Sequence, residues 1–188
     1  MKLEVAPEEA EMAFEPPLRL GPRPQRGLGI PCVQLNQWPP SSIAEELMGR
    51  CLAFPNVRSQ QSRMASPECH ALSLPDEFCA GPPGAFIVDH EFCHLHPLPD
   101  GSIHLTLPDD VRERAIRRGW AEQHPVSRAG ILPETLVMVY APRNTTELDI
   151  VLRMVWYSYL FASGAQIGQR ERRGKGETLE HIERHMVL

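Results

Sequence analysis

Three histidines, His94, His96 and His104, crowd into the stretch EFCHLHPLPDGSIHL, and a fourth, His124, follows downstream. A neutral imidazole near its ordinary pKa of about 6.5 takes a proton from an enol at physiological pH. A second imidazole, or the guanidinium of Arg143, would then steady the resulting anion or superoxide, as a positioned cation does in a dry cleft. The same residue types serve a different chemistry. Two histidines at i and i+2 on a strand, a third across a turn and a fourth from a loop are a ligand supply for iron, zinc or copper. Glu91 would be a further ligand, or the carboxylate that fixes an imidazole tautomer. Three histidines on one face also suit a hydrogen-bonded polar layer under a loop. The spacing therefore leaves cofactor-free catalysis, metal ligation and a structural role open.

The elements that must position these rings begin with a hairpin. Between Leu98 and Ser102 lies Pro-Asp-Gly, the composition of a three-residue loop with glycine in the left-handed position. That loop sets Leu98 opposite Ser102 and His96 opposite His104. His94, two residues from His96, points the same way. Leu95, Ile103 and Leu105 take the other face, and a slip of one residue would scatter the rings. Cys93 alternates away from the histidines, so a thiolate nucleophile is not expected there.

Around the hairpin, SSIAEELMGRCLAF predicts a helix, with Ser42 and Glu45 as a capping box and Ile43, Leu47 and Cys51 at helical spacing. PNVRSQQSRMASP is polar, and Cys69–Leu74 alternates as a strand. EFCAGPPG is a turn or loop, and AFIVD is a β-rich run. PDDVRERAIRRGW predicts a short helix from Pro108 or Asp109 to Gly119. AEQHPVSRAGILP is a loop carrying His124, and TLVMVYA a buried strand. Asn144, with Glu147 three residues on, caps a long helix whose core stripe is Leu148, Val151, Leu152, Val155 and Tyr159. The order of elements predicts an α+β fold, a mostly antiparallel sheet with helices packed on one face.

Length and composition bound the rest. The 188 residues suit one domain, 41–165, with a proline-rich extended arm at 1–40 and a charged linker with a possible terminal helix at 166–188. Trp38 is expected to anchor the arm in an apolar groove. A net charge of −5 argues against nucleic acid or an anionic membrane surface as partner, and favours a small molecule or another protein. IVLRMVWYSYLFAS is too short for a membrane span and carries Arg153, and no secretory leader is expected. Five cysteines without CxxC spacing point to reduced thiols and a cytoplasmic setting. His181 and His185 are four apart on a possible helix, but in a charged tail they read as a solvated face. Arg170, Arg172, Arg173 and Lys175 read as a solvated linker.

From about Ala85 to Ser163, the blocks EFCHLH, HLTL after a short turn, GWAEQHPV and YAPRN followed by an acidic residue and an apolar helix occur in a fixed order. In these the chain resembles the luciferase domain of fungal bioluminescence and its non-luminous bacterial relatives. The resemblance implies a cofactor-independent oxygenase. The fungal enzyme takes 3-hydroxyhispidin, a 3-hydroxy-2-pyrone, adds dioxygen to form an endoperoxide-like intermediate, and loses carbon dioxide with light. Glu91, His94, His96, His104, Trp120, His124, Tyr140 and Arg143 stand on positions that carry the family pattern. The chain departs from that pattern in its proline-rich arm and in lacking the amino-terminal membrane helix expected of the fungal enzyme.

Taken with the chemistry of the residues, the resemblance makes His94, His96, His104, His124 and Arg143 the expected catalytic group, with His96 or His94 as the base. Glu91, Trp120 and Tyr140 are expected to hold a small substrate that reacts with O2, Tyr140 through a phenolic or carbonyl oxygen and Trp120 as a flat wall. Each has a plainer role available: Arg143 tying a strand end to a loop, Tyr140 and Trp120 as core, Glu91 as surface charge. No cofactor is expected. The alternatives are an iron, zinc or copper oxygenase or hydrolase ligated by His94, His96, His104 and His124, and a non-catalytic small-molecule binding module whose histidine face grips a small acid or a partner protein, favoured if the cleft is shallow or filled by the arm.

Overall fold

The structure, a computed structural model, describes residues 14–165. The helix and basic cluster considered at 166–188 lie outside them. Six strands form one antiparallel sheet: β1 (Arg58–Gln61), β2 (His70–Ser73), β3 (Glu91–Leu95), β4 (Ile103–Thr106), β5 (Ala121–Gln123) and β6 (Leu136–Val139). They lie in the order β1-β2-β3-β4-β6-β5. Four helices accompany them: α1 (Ser41–Leu52), α2 (Asp109–Arg117), the single turn α3 (Pro125–Arg128) and α4 (Thr145–Ser163). The fold is α+β.

Alternation along the strands separates the two faces of the sheet. Leu95, Ile103, Val139 and Ala121 pair across β3, β4, β6 and β5, and Leu72, Cys93, Leu105 and Val137 form the next row. These rows bury against Leu148, Val151, Leu152 and Val155 of α4 and Ile43, Leu47 and Cys51 of α1 in one continuous core. Tyr159 is only half-buried, stacked on Trp156 at the core's edge. Asn144 caps α4 as expected, accepting from the Glu147 amide at 3.0 Å. Gly164 ends it with φ of 69°, where a Cβ would meet the Ala80 main chain at 2.6 Å.

Several local expectations fail for identifiable reasons. The Ser42–Glu45 capping box does not form; the cap position falls two residues earlier, at Pro40, whose fixed φ suits the entry, and α1 starts at Ser41. AFIVD is not a strand: Pro83–Ala85 makes a 3-10 turn, and Val88 contributes only an isolated bridge to Glu91. The polar tract RSQQ is instead an edge strand, β1, with all four residues exposed. AEQHPVSRAGILP is no simple loop, since β5 pairs with β6 before α3 begins.

Residues 14–40 lie across the domain. Phe14 enters the core beside Tyr157, and the Trp120 indole donates to the Pro17 carbonyl at 2.6 Å. An antiparallel bridge joins Arg26 and Gln34. Trp38 is not the anchor. It stays half-exposed at 52%, whereas Cys32 and Gln34 are buried at 1% and 2%. Cys32 packs on Met138 and Tyr140, and Gln34 bonds Asp100 and the Ala141 amide, so these two residues hold the arm to the sheet. Among the described residues no helix is long and apolar enough to cross a membrane.

Candidate functional site

The face of the sheet opposite the helices carries the histidines. One row runs Gln60, Ala71, His94, His104, Met138, Glu122 across all six strands. His94 thus stands opposite His104, and His96 opposite Ser102, whose carbonyl accepts the His96 amide at 3.0 Å. The expected pairing of His96 with His104 is off by two residues. The connection is Pro97–Gly101, closed by the Gly101 amide on the Pro97 carbonyl, because Asp100 turns inward instead of sitting in a tight surface turn. A shift of two leaves every side chain on its expected face.

The four rings converge. Centroids are 4.9 Å apart for His94 and His104, 4.5 Å for His96 and His104, and 4.6 Å for His104 and His124. His94 and His96 lie stacked at 5.5 Å. All four are buried. Glu91 would point to the core under strict alternation, but β3 carries a bulge: Leu72 pairs with Cys93 and Ser73 with Glu91, leaving Phe92 over. The bulge re-aims Glu91 onto the histidine face, where its Oε1 lies 2.6 Å from His94 Nδ1 and the Ser62 hydroxyl donates to it. His94 Nε2 in turn lies 3.1 Å from His104 Nδ1.

Asp100 plays the matching part for His96. Its Oδ2 stands 2.7 Å from His96 Nδ1, while Oδ1 accepts from the Gln34 and Ser102 amides at 2.9 and 3.2 Å. The two groups are within ion-pair distance, but the contact is not aligned as a hydrogen bond: Asp100 Oδ2 is buried without a hydrogen-bond partner. His96 Nε2 is buried with no hydrogen-bond partner. His124 caps α3, its Nδ1 accepting from the Val126 amide at 3.3 Å.

Burial and mutual repulsion favour the neutral forms of His94, His104 and His124. Desolvation lowers His94 despite its bond to Glu91. His104 falls well below the usual histidine value through desolvation and then the three rings around it, and His124 falls to about 4 for the same reasons, with Arg26 adding to them. The Cys32 main chain lies close enough to His104 to favour its charged form slightly, yet makes no hydrogen bond of good geometry with Nε2. Cys93, on the far face, is pushed well up by burial.

The remaining expected residues stand apart from the four rings. Tyr140 is buried on the histidine face beside Met138 and Cys32, with the Arg19 guanidinium 5.5 Å from its ring centre. Trp120 is tied to the arm. Arg143 is taken up by Glu147, by Gln37 at 3.2 Å and by the Leu20 carbonyl at 2.9 Å, so it braces the start of α4 against the arm. Asp100, Gln34, Ser62 and Cys32 belong to the surroundings of the site without having been singled out. Asp100 carried a signal, an acid next to a turn glycine within reach of a histidine; Gln34 and Cys32 carried none.

A groove of about 450 Å³ opens beside the site between α1 and the Pro97–Gly101 loop. Ala44, Met48, Leu52, Leu95 and Leu98 give it an apolar wall, and His96 is the member of the histidine group in its lining.

Comparison with known proteins gives the following. The family model described as the Luciferase domain matches residues 89–158. Luciferases of Armillaria ostoyae and Armillaria gallica are each 29% identical to the chain, over 161 and 162 residues, covering 77% of it and 60% of their own length. The luciferase of Neonothopanus nambi is 31% identical over 67 residues, 35% of this chain and 25% of its own. The chain thus spans about 60% of the Armillaria relatives. No solved structure matches the chain significantly.

Proposed function

We propose that this chain is a luciferase-like oxidoreductase, a reading supported by the match of residues 89–158 to the luciferase-domain model and by the 29% identity to the Armillaria luciferases. It would add dioxygen to a small enolic, hydroxypyrone-like molecule, with the histidine group moving the protons. The observation that carries the reading is the pairing of His96 with Asp100. A carboxylate 2.7 Å from Nδ1 and an unpartnered Nε2 suit a base that accepts an enol proton. The apolar groove that His96 helps to line is of a size for a small ring compound.

The chemistry needs no external reductant. Transfer of the enol proton to His96 Nε2 leaves an enolate, which passes one electron to oxygen. Carbon–oxygen bond formation between the radical pair then gives a peroxide, and its rearrangement releases carbon dioxide. The growing positive charge on His96 is offset by Asp100. Glu91, His94 and His104 form a carboxylate–imidazole–imidazole chain behind it, able to relay a proton across 2.6 and 3.1 Å contacts.

Oxygen uptake with a 3-hydroxy-2-pyrone tests this. His96→Ala is expected to lower turnover about 10²–10⁴-fold while the far-UV spectrum and melting temperature stay near those of the native chain. Asp100→Asn, which holds the ring less firmly and offers no charge, is expected to fall between. Full turnover in His96→Ala would remove this imidazole from the reaction.

A further inference from the structure

We propose that His94 Nε2, His96 Nε2 and His104 Nδ1 together form a binding site for one divalent first-row transition-metal ion. Donor atoms of these three rings lie within 4.8 Å of one another, and the pair on His94 and His104 is 3.1 Å apart. Two imidazole nitrogens on one tetrahedral ion, each bonded at about 2.0–2.1 Å, stand roughly 3.3 Å from each other. That pair is already spaced for a shared ion, and only His96 has to draw in.

The outward nitrogens support the same assignment. His94 Nδ1 meets Glu91 at 2.6 Å and His96 Nδ1 meets Asp100 at 2.7 Å, and the Cys32 main chain lies beside His104. Metal-bound histidines are held in this way, by a carboxylate or carbonyl on the nitrogen that faces away from the ion. His96 Nε2 is buried and without a hydrogen-bond partner, so its lone pair is free to meet an ion.

Charge supplies the independent argument. Glu91 and Asp100 are 1% and 8% exposed, and among the described residues neither makes an ion pair with a lysine or arginine: besides an imidazole, Glu91 meets only the neutral Ser62 hydroxyl and Asp100 only the Gln34 and Ser102 amides. Two buried carboxylates without a cation are unfavourable. Three neutral rings and one divalent ion bring the balance to zero, two positive charges against two negative. All-nitrogen donors suit zinc, iron or copper and disfavour calcium and magnesium.

Binding does not depend on the acid–base reading, and the two are separable. The lone pair on His96 cannot hold a proton and a metal at once. Metal that activates turnover would overturn the acid–base reading, and metal that inhibits would support it; both leave the binding site in place.

The test uses the full untagged chain, stripped with a chelator and titrated with Co²⁺ and then Zn²⁺. One equivalent of Co²⁺ is expected, with visible d–d absorption of a four- or five-coordinate ion that Zn²⁺ displaces. His94→Ala, His96→Ala and His104→Ala should each abolish the absorption. Glu91→Gln and Asp100→Asn, which preserve size and keep the fold under test, should weaken binding about 10–100-fold, and Cys32→Ser should change nothing. Three results would overturn the proposal: no saturable uptake by the native chain, uptake that survives His96→Ala, or loss confined to Cys32→Ser and His124→Ala. The last would place the ion on the other side of His104, where Cys32, His104 and His124 also converge.

Discussion

Three rings of the histidine group, His94, His104 and His124, owe their state to their surroundings rather than to themselves. Burial and the adjacent imidazoles lower His94, His104 and His124, the last to about 4. An unfolded histidine titrates near 6.5, so between those values the unfolded chain binds more protons than the folded one. The stability contributed by the neutral rings is complete above pH 6.5 and is lost as the pH falls towards 4. Urea denaturation of the metal-stripped chain at pH 7.5 and pH 5 should show a loss of more than about 1 kcal/mol at the lower pH. Equal stability at both would mean that the rings are not packed together. At this scale the histidines were legible because their number and spacing are unusual. Their carboxylate partners were less so: Glu91 reaches them only through a bulge, and Asp100 only because the loop is wider than its turn residues indicate.

Elements with strong local signals form where the chain indicates. α4 has its cap, its apolar stripe and its terminal glycine, and Asn144→Ala should cost about 1 kcal/mol, measurable by chemical denaturation, by leaving the Glu147 amide unpaired. β6 reads as buried because it is continuous in Leu, Val and Met. The edge strands were hidden for a physical reason. β1 buries no side chain and β5 is only three residues long, so both depend on backbone pairing with a neighbour, which leaves no hydrophobic period to detect. The hairpin between β3 and β4 shows the converse: its turn chemistry was readable, but the inward bonds of Asp100 that set its width came from Gln34, far away in sequence.

Across the whole molecule the sheet divides an apolar layer under α1 and α4 from a polar layer under the arm. Contact between arm and hairpin is close at Gly101, where φ is 64° and a Cβ would come 2.4 Å from Pro39 Cγ. Gly101→Ala should therefore destabilise the fold by more than about 1 kcal/mol and speed hydrogen exchange at the Gln34 and Ala141 amides, which bond Asp100 and the Gln34 side chain. Unchanged exchange would mean that the arm is held independently of this loop. The separation into layers also carries a rule of parity for anyone rebuilding this connection. Two residues added at the end of β3, between Leu95 and His96, would keep both neighbouring imidazoles on one side of the sheet. A single added residue would send one of the pair through to the greasy side, splitting the group by arithmetic alone, with no change in composition.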